Sequence, residues 1–256
     1  MHNLVEWKGD EVGVRMFSGL EKLRITKCPL LKSTPIQFEI LRELSIERVD
    51  SEIPLFNLCN NLTSLVKLIV YDVKELTCLP DEMLCNNFTK WNARALSVST
   101  GFEGSLHSLT VLWELEIGPF SEMVDFEAFQ LIFNDIQQLL SLRTLEVWGH
   151  LHCDSLPYHL MQLSDRTEIE IDGFGIEALP HRFGSLTSLE RLTLVRCKQL
   201  QHLDFSDASP KLRYSEICDC PLLKALSDGL GNLVLLEQLR LWNCEKLENL
   251  PSRDAM

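Results

Sequence analysis

The chain has 256 residues, of which 45% are hydrophobic and 24% are charged, and this composition predicts a folded protein and excludes a disordered one. Its formal net charge of −13 argues against nonspecific binding to nucleic acid. No apolar run approaches the roughly 20 residues that span a bilayer. The first residues lack the basic and apolar regions of a signal peptide, so we expect a cytoplasmic protein without membrane insertion.

The excess negative charge lies in the middle of the chain. Residues 1–75 carry a net charge of −1, residues 76–180 a net charge of −12, and residues 181–256 a net charge of 0. Charge distribution informs on partners more than on fold. We therefore expect a basic or mixed partner surface opposite the middle third.

One spacing of apolar residues recurs along the chain, beginning with Leu20-x-x-Leu23-x-Ile25-x-x-Cys28 and ending with Leu236-x-x-Leu239-x-Leu241-x-x-Cys244. Ten segments fit it, one of them with a polar substitution at Ser215, and the second position of the motif falls at Leu23, Leu44, Leu68, Leu96, Leu115, Leu145, Ile169, Leu192, Ser215 and Leu239. Successive segments are 21, 24, 28, 19, 30, 24, 23, 23 and 24 residues apart. This interval is typical of leucine-rich repeats.

The spacing has a simple physical meaning. Two apolar residues that are two positions apart point to the same face of a strand, and the residue between them points to the opposite face. A single repeat cannot bury its apolar face, whereas stacked repeats share a core and pair their strands. We predict an α/β fold, a curved leucine-rich-repeat solenoid over 20–256 with its parallel sheet on the concave face. Residues 1–19 would be a flanking segment or the remnant of a preceding repeat.

The arcs between strands are predicted to be irregular or briefly helical. Apolar residues at helical spacing from Phe126 to Leu142, Leu140 included, predict one or two helical turns packed on the core. The segment LCNNFTKWNARA before Leu96 is expected to be an irregular arc. Leu239 is predicted to lie in the core, so we expect Leu239→Ala to lower the free energy of unfolding by roughly 2–5 kcal/mol.

The cysteine and histidine residues are the candidates for a metal or catalytic site. Nine cysteines in a chain without a visible signal peptide favour reduced thiols, and four of them share one repeat position: Cys28, Cys197, Cys220 and Cys244. We expect them to pack beneath the strand and donate weakly to the turning backbone. His150, His152, Cys153 and His159 resemble a zinc set, but they fall in an arc, so we favour packing. We expect no catalytic, cofactor or metal site.

Phrases such as LEKLRITKCPLLKSTP (20–35), LRYSEICDCPLLKAL (212–226) and GIEALPHRFGSLTSLERL (175–192) give nearly the whole chain a family resemblance. They resemble the leucine-rich-repeat region of intracellular plant immune receptors of the NLR type, nearest to the coiled-coil subclass. The resemblance implies recognition of a pathogen effector or a guarded host protein, with a contribution to autoinhibition. ATP or ADP would bind only in an upstream switch domain, because the chain has no phosphate-binding loop.

Two other functions remain open. The repeats could be the substrate-recruiting module of an F-box ubiquitin ligase, or a free-standing decoy. An upstream nucleotide-binding domain would favour the immune receptor, and an upstream F-box would favour the ligase.

Candidate contact residues are those that the repeat spacing leaves outside the core. The predicted partner-binding residues on the concave face are Glu114, Glu116, Glu146, Trp148, Glu168, Glu170, Asp172, Tyr214, Glu216, Gln238, Arg240 and Trp242. Large amphipathic aromatic residues on such a surface are typical of interface anchors. The predicted autoinhibitory contacts with the switch domain are more basic, namely Lys22, Arg24, Lys27, Arg48 and Lys67.

Overall fold

The structure is a computed structural model, and it describes residues 3–8, 17–35, 38–59, 62–73, 76, 89–94, 106, 109–118, 126–180, 183–206 and 208–251. Of residues 92–94 and 126–131 it describes the backbone course only. The chain divides into two compact units, Met1–Leu142 and Arg143–Met256. Among the described residues, no helix has the length and apolar character needed to cross a membrane. The prediction of one continuous solenoid stays a prediction.

The first unit contains five parallel strands paired in chain order. They are β1 (Lys22–Thr26), β2 (Glu43–Val49), β3 (Lys67–Val73), β4 (Lys90–Arg94) and β5 (Glu114–Ile117). Helix α1 (Ile53–Cys59) lies in the arc after β2, and helix α2 (Phe126–Gln137) follows β5.

The second unit repeats this plan. Its main sheet is formed by β6 (Thr144–Trp148), β7 (Glu168–Asp172), β8 (Arg191–Val195), β10 (Tyr214–Cys218) and β12 (Gln238–Trp242), again all parallel. The arcs hold two-residue strands β9 (His202–Leu203) and β11 (Ala225–Leu226), which pair with each other. Short 3-10 helices span Tyr158–Gln162, Phe183–Ser185 and Asp228–Asn232.

The core follows the predicted alternation. In β2, β6, β7 and β8 the two apolar positions are buried to within 1% of complete burial, as at Leu145 and Leu192. Ser215 occupies the same position in β10 with none of its surface exposed, and its hydroxyl has no hydrogen-bond partner in the described structure. Both units are therefore leucine-rich-repeat solenoids with a parallel sheet.

Within each unit, backbone hydrogen bonds join consecutive strands of the sheet in the same way. Just before a strand, one carbonyl accepts from two successive amides of the following repeat. Glu21 O accepts from Arg42 and Glu43 at 2.8 and 3.0 Å, and Arg213 O accepts from Glu237 and Gln238 at the same distances. Because a buried amide must be paired, this pattern fixes where one repeat begins above the last.

A left-handed residue turns the chain out of the sheet at the ends of the strands. At Lys27, Gly173, Arg196 and Asp219 its amide donates to a carbonyl of the following repeat, as Arg196 N does to Cys218 O at 3.0 Å. The residues in this conformation are Lys27, Arg48, Asp72, Gly173, Arg196, Asp219 and Asn243, with φ between 51° and 74°. A non-glycine residue costs about 1–2 kcal/mol there, so the interrepeat hydrogen bond must offset that cost.

The strand of the fourth repeat lies at other residues than the sequence predicted. Leu96 and Val98, expected as its core pair, lie outside the described residues. The strand is instead formed by Lys90–Arg94, with Trp91 opposite Leu68 and Ala93 opposite Val70. Trp91 thus follows Leu68 by 23 residues and precedes Leu115 by 24, which replaces the predicted intervals of 28 and 19.

The helices also differ from expectation. Helix α2 has 12 residues, more than the predicted one or two turns, and Ile132, Phe133 and Ile136 are buried. Leu140, placed with them from the sequence, is 76% exposed because the helix ends before it. Helix α1 was not predicted, since seven residues are too few to show a helical period. It buries Pro54 and Leu55 in its first turn, where proline is well tolerated.

The two ends of the described chain are packed differently. Near the start, Trp7 N donates to Ser33 O at 3.0 Å, and the rings of Trp7, Phe17 and Phe38 lie within 6.3 Å of one another. In the last strand, Leu239 and Leu241 are only half-buried, although their counterparts in β8 are fully buried. Leu239 therefore has fewer packing contacts than the sequence alone suggested.

The shared cysteine position is a packing site. Cys28, Cys197 and Cys220 are buried, and Cys220 Sγ donates to Cys218 O at 3.3 Å. Cys197 and Cys220 also interact side chain to side chain, which raises the pKa of Cys197 well above its usual value, helped by burial. The seven cysteines in the described ranges are all free thiols.

Candidate interaction surface

The strands of both units present one face to solvent, here called the open face. It is formed by the first, third and fifth residue of each strand, counted from Lys22 in β1 and from Thr144 in β6. The second and fourth residues fill the core. Because the strands pair in register without slippage, residues of equal position form columns across each unit.

In the first unit, three of the five predicted basic contacts are already engaged by neighbouring side chains, and two of these three lie on the open face. Lys22 Nζ donates to Glu43 at 2.7 Å, and Arg24 donates through Nε and Nη2 to Glu47 at 2.9 and 2.7 Å. Arg48 lies over the ring of Tyr71, 5.7 Å from its centroid. Lys27 is exposed on a left-handed turn, and Lys67 is half-exposed at the start of β3.

The acidic residues of β5 are less accessible than predicted. Glu114 accepts from Lys90 Nζ at 2.5 Å, and Lys90 also lies 4.4 Å from the ring centroid of Trp113. Glu116 is only 8% exposed. Glu116 therefore offers little surface to a partner, and Glu114, whose side chain is 31% exposed, is already engaged by Lys90.

In the second unit, strands β6 and β7 bring the predicted acidic residues together. Glu146 and Glu170 face each other in register, and Glu168 lies one position away on the same face. All three are half-exposed. Strands β6 and β7 therefore present a cluster of acidic side chains on the open face.

Asp172 belongs to the same acidic strand but is held internally. It is 2% exposed and accepts from Arg196 Nε at 2.8 Å and from Nη2 at 2.5 Å. The Arg196 guanidinium also lies 4.9 Å from the ring centroid of Trp148. Asp172 thus anchors an arginine that covers Trp148, and it has almost no surface of its own to offer.

Tyr214 lies at the centre of the next three strands. Arg191 lies 4.1 Å from its ring centroid and Arg240 lies 5.5 Å away. The Tyr214 hydroxyl donates to Glu216. Burial, and then this bond to a carboxylate, raise the pKa of Tyr214 above its usual value, so the hydroxyl remains a donor at neutral pH.

The final strand is the most exposed part of the open face. Trp242 is 66% exposed, and Gln238 and Arg240 are exposed beside it. Next to Trp242, Cys218 is 7% exposed, and burial together with Asp219 raises its pKa to about 11. That thiol is therefore protonated at neutral pH and poorly nucleophilic.

Two arginines of this surface were not predicted. Arg191 occupies the same column as Tyr214 and Gln238, so the repeat spacing would have found it if the column had been read in full. Arg196 lies beyond the end of β8 in a left-handed turn. Strand alternation says nothing about where a side chain from such a turn is directed.

The arcs in the described part of the chain hold no cluster of metal-ligating side chains. His150 and Cys153 share a tight turn, in which Cys153 N donates to His150 O at 2.9 Å. His159 is buried against Tyr158, and burial lowers its pKa. Among the described residues, no three His, Cys, Asp or Glu side chains converge on a metal-sized site. A shallow groove of about 650 Å³ near Tyr158 and Met161 is lined mainly by apolar atoms.

Glycines of this surface serve close packing. A side chain at Gly175 would lie 1.8 Å from the carbonyl oxygen of Leu151, and one at Gly229 would lie 2.3 Å from Ser206 N. Both glycines therefore let one arc approach the next. Gly229 lies in the 3-10 helix Asp228–Asn232, which follows β11, and Gly175 lies in an arc outside the helices.

No model of a protein family matches the chain, and no curated protein matches it. Among solved structures it is similar to the leucine-rich repeat domain of the type III effector XopL, with 21% identity over 93% of this chain and 73% of that one, and a TM-score of 0.49. It is also similar to the plant peptide hormone receptor RGFR1 in complex with RGF2, with 15% identity over 92% of this chain and 46% of that one, and a TM-score of 0.42.

A third similar structure is the functional domain of InlJ from Listeria monocytogenes, which includes a cysteine ladder. The identity is 11% over 88% of this chain and 58% of that one, with a TM-score of 0.38. The chain thus spans about half the length of the second and third structures. The fold itself follows from this chain's own strands, turns and core, which define a leucine-rich-repeat solenoid.

Proposed function

We propose that the chain is a protein-recognition module, with the open face of its second unit as the principal contact surface. The observation that carries the proposal is the register pairing of Glu146 with Glu170 beside a half-exposed Trp148. Acidic and aromatic side chains that share an exposed sheet face fit a partner that supplies positive charge. No catalytic role, bound cofactor or nucleic-acid partner forms part of the proposal.

We further propose that the module belongs to a plant intracellular immune receptor of the NLR type, coiled-coil subclass, and acts in the cytoplasm in defence. It would recognise a pathogen effector or a guarded host protein, and Lys27, Arg48 and Lys67 would face the receptor's switch domain. The support is the resemblance of the repeat phrases, for example Cys28-Pro29-x-Leu31 and Cys220-Pro221-x-Leu223. ATP or ADP would bind in the switch domain only.

The test of recognition is charge reversal on the open face. Partners are first selected by two-hybrid screening of host and effector libraries with the wild-type chain. Each is then tested against Glu146→Lys/Glu170→Lys and against the control Glu177→Lys/Glu245→Lys, which makes the same charge change on exposed arc residues. We expect the open-face variant to lose binding by about tenfold or more, and the control to retain it.

A loss of binding by the open-face variant should not result from unfolding. Two lysines opposite each other repel as two glutamates do, so the open-face variant should keep its thermal midpoint within a few degrees. Equal loss in both variants, or no loss in either, would contradict the assignment of the surface. The F-box alternative is tested separately by the transcript sequence upstream, where an F-box would overturn the immune-receptor assignment and a nucleotide-binding domain would support it.

A further inference from the structure

We propose that a groove between two arcs of the second unit binds an extended segment of a protein, with one leucine-sized apolar side chain directed to the groove floor. The segment adds a strand to a small parallel ladder whose edge lies in this groove. Arc residues form the groove and strand residues form the open face. The site is therefore separate from the proposed recognition surface and takes a second protein segment.

The arcs of the second unit carry a parallel ladder of their own. Its rungs pair Ala178 with His202, His202 with Ala225, and Ala225 with Asn249, at intervals of 24, 23 and 24 residues. One interval before Ala178, the equivalent position is Ser155. In the described part of the chain, Ser155 pairs with no residue of the next arc. The ladder thus ends at Ala178 and has an open edge on the side of Ser155.

The backbone of Ala178 presents unpaired groups at that edge. His202 N donates to Glu177 O at 3.3 Å, so the rung is made through the residue that precedes Ala178. In a parallel pair of this kind, the residue itself directs its N–H and C=O to the opposite side of its strand. Among the described residues, neither group of Ala178 has a hydrogen-bond partner, and the residue is exposed. An exposed edge of this kind is a template for a further strand.

The groove occupies the place of the missing rung. On one side of it, Gly175 N donates to Cys153 O at 2.9 Å, and on the other, the Ser185 hydroxyl donates to Met161 O at 2.5 Å. Between these two contacts the arcs separate and leave the groove of about 650 Å³, which both Ser155 and Ala178 line. Ligand sites have volumes of roughly 300–1,000 Å³. The open edge therefore faces a space that a short segment can enter.

The floor of the groove is apolar and defines the side chain that fits. Leu156, Met161 and Ile176 line it, and each of them is at most 6% exposed. Successive side chains of an extended chain point to opposite faces. A strand that bonds to Ala178 therefore directs one side chain to this floor and its neighbours away from it. Main-chain hydrogen bonds hold such a segment, and the floor selects an apolar residue.

The test uses the peptide acetyl-Thr-Leu-Thr-amide as the extended probe. Acetyl-Thr-Ser-Thr-amide lacks the apolar side chain, and the probe with an N-methylated leucine lacks one backbone donor. The full chain is titrated with each peptide while its backbone amide signals are followed by NMR. We expect a saturable shift of the Ala178 amide signal with the leucine peptide. The serine peptide should bind about tenfold more weakly, and the N-methylated peptide about fivefold more weakly.

Two variants isolate the backbone contribution of Ala178. Ala178→Pro removes the N–H that faces the groove, and no internal hydrogen bond among the described residues is lost with it. Ala178→Ser is the matched control, because it keeps the N–H at nearly the same size. Binding is followed at the Ser155 amide signal. We expect about a fivefold loss of affinity in the proline variant and none in the serine variant. If the proline variant loses its fold, the N-methylated peptide on the wild-type chain carries the test.

The proposal is overturned if the leucine peptide leaves the Ala178 signal in place, or if the serine or N-methylated peptide binds as tightly. Equal affinity of the proline and serine variants would also overturn it. A shift of the same signal when the protein alone is concentrated would identify a second copy of this chain as the occupant, against the proposal. Glu146→Lys/Glu170→Lys should bind the peptide as wild type, so failure of the groove and failure of the open face are distinguishable.

Discussion

Ser215 shows what a single side chain contributes to this fold. It occupies a core position between Leu192 and Leu239 in register, with none of its surface exposed. The hydroxyl finds no hydrogen-bond partner among the described residues. An unpaired buried hydroxyl costs about 1–3 kcal/mol relative to one that is satisfied. Ser215 is therefore a weak point in an otherwise apolar column.

Ser215→Ala should stabilise the protein, because it removes the unpaired hydroxyl without adding volume. We expect the thermal midpoint to rise by roughly 1–4 °C, measured by circular dichroism. Ser188→Ala, at a half-exposed position of the preceding arc, is the control and should leave the midpoint nearly unchanged. A fall of several degrees in the Ser215 variant would mean that the hydroxyl has a partner.

Individual site residues were only partly predictable. Period-two alternation correctly placed Glu146, Glu170, Tyr214 and Arg240 on the open face. It gave no indication that Asp172 would be buried under Arg196, since that contact depends on a left-handed turn in the next repeat. Whether these residues bind a partner stays a prediction.

At the scale of the element, core strands are not equivalent. Leu192 in β8 has a paired strand on each side and is fully buried. Leu239 in β12 pairs with one described strand and is half-buried. The energetic cost of a core truncation scales with the contacts and the cavity that it leaves. The two leucines therefore contribute differently to the free energy of unfolding, although they occupy the same position of the repeat.

Leu192→Ala should reduce the free energy of unfolding by roughly 2–5 kcal/mol, and Leu239→Ala by about half of that or less. Urea denaturation of the two variants beside the wild type measures the difference. Equal losses would mean that β12 is as well packed as β8, against the burial observed here.

The register of β4 shows where sequence reasoning about elements fails. A leucine-based pattern selected Leu96 and Val98, because Trp91 and Ala93 do not match it. Pairing of the strand with β3 and β5 selects Trp91 and Ala93, and it restores an even repeat length. Strand pairing between neighbouring repeats is a tertiary property that a single repeat does not reveal. Helix α1 was missed for a related reason, since its short length gives no measurable period.

For the molecule as a whole, the repeat period was sufficient to predict the fold class. At nine of the ten predicted repeats a strand lies at the expected residues, and the strand of the fourth repeat is displaced. The polarity of the open face was less predictable. It depends on which charged side chains form ion pairs with the next strand, as Lys22 and Arg24 do with Glu43 and Glu47. The second unit retains more of its predicted surface than the first.

The central claim is that the open face, and not the arc, meets the partner. Hydroxyl-radical footprinting of the chain, free and bound to a partner selected in the two-hybrid screen, tests it most directly. Trp148, Tyr214 and Trp242 report on the open face, whereas Tyr158, 59% exposed, and Leu151, 48% exposed, report on the arc. We predict that oxidation of the three open-face aromatic residues falls on binding while Tyr158 and Leu151 react as before. Protection of Tyr158 and Leu151 with unchanged oxidation of Trp148, Tyr214 and Trp242 would contradict it.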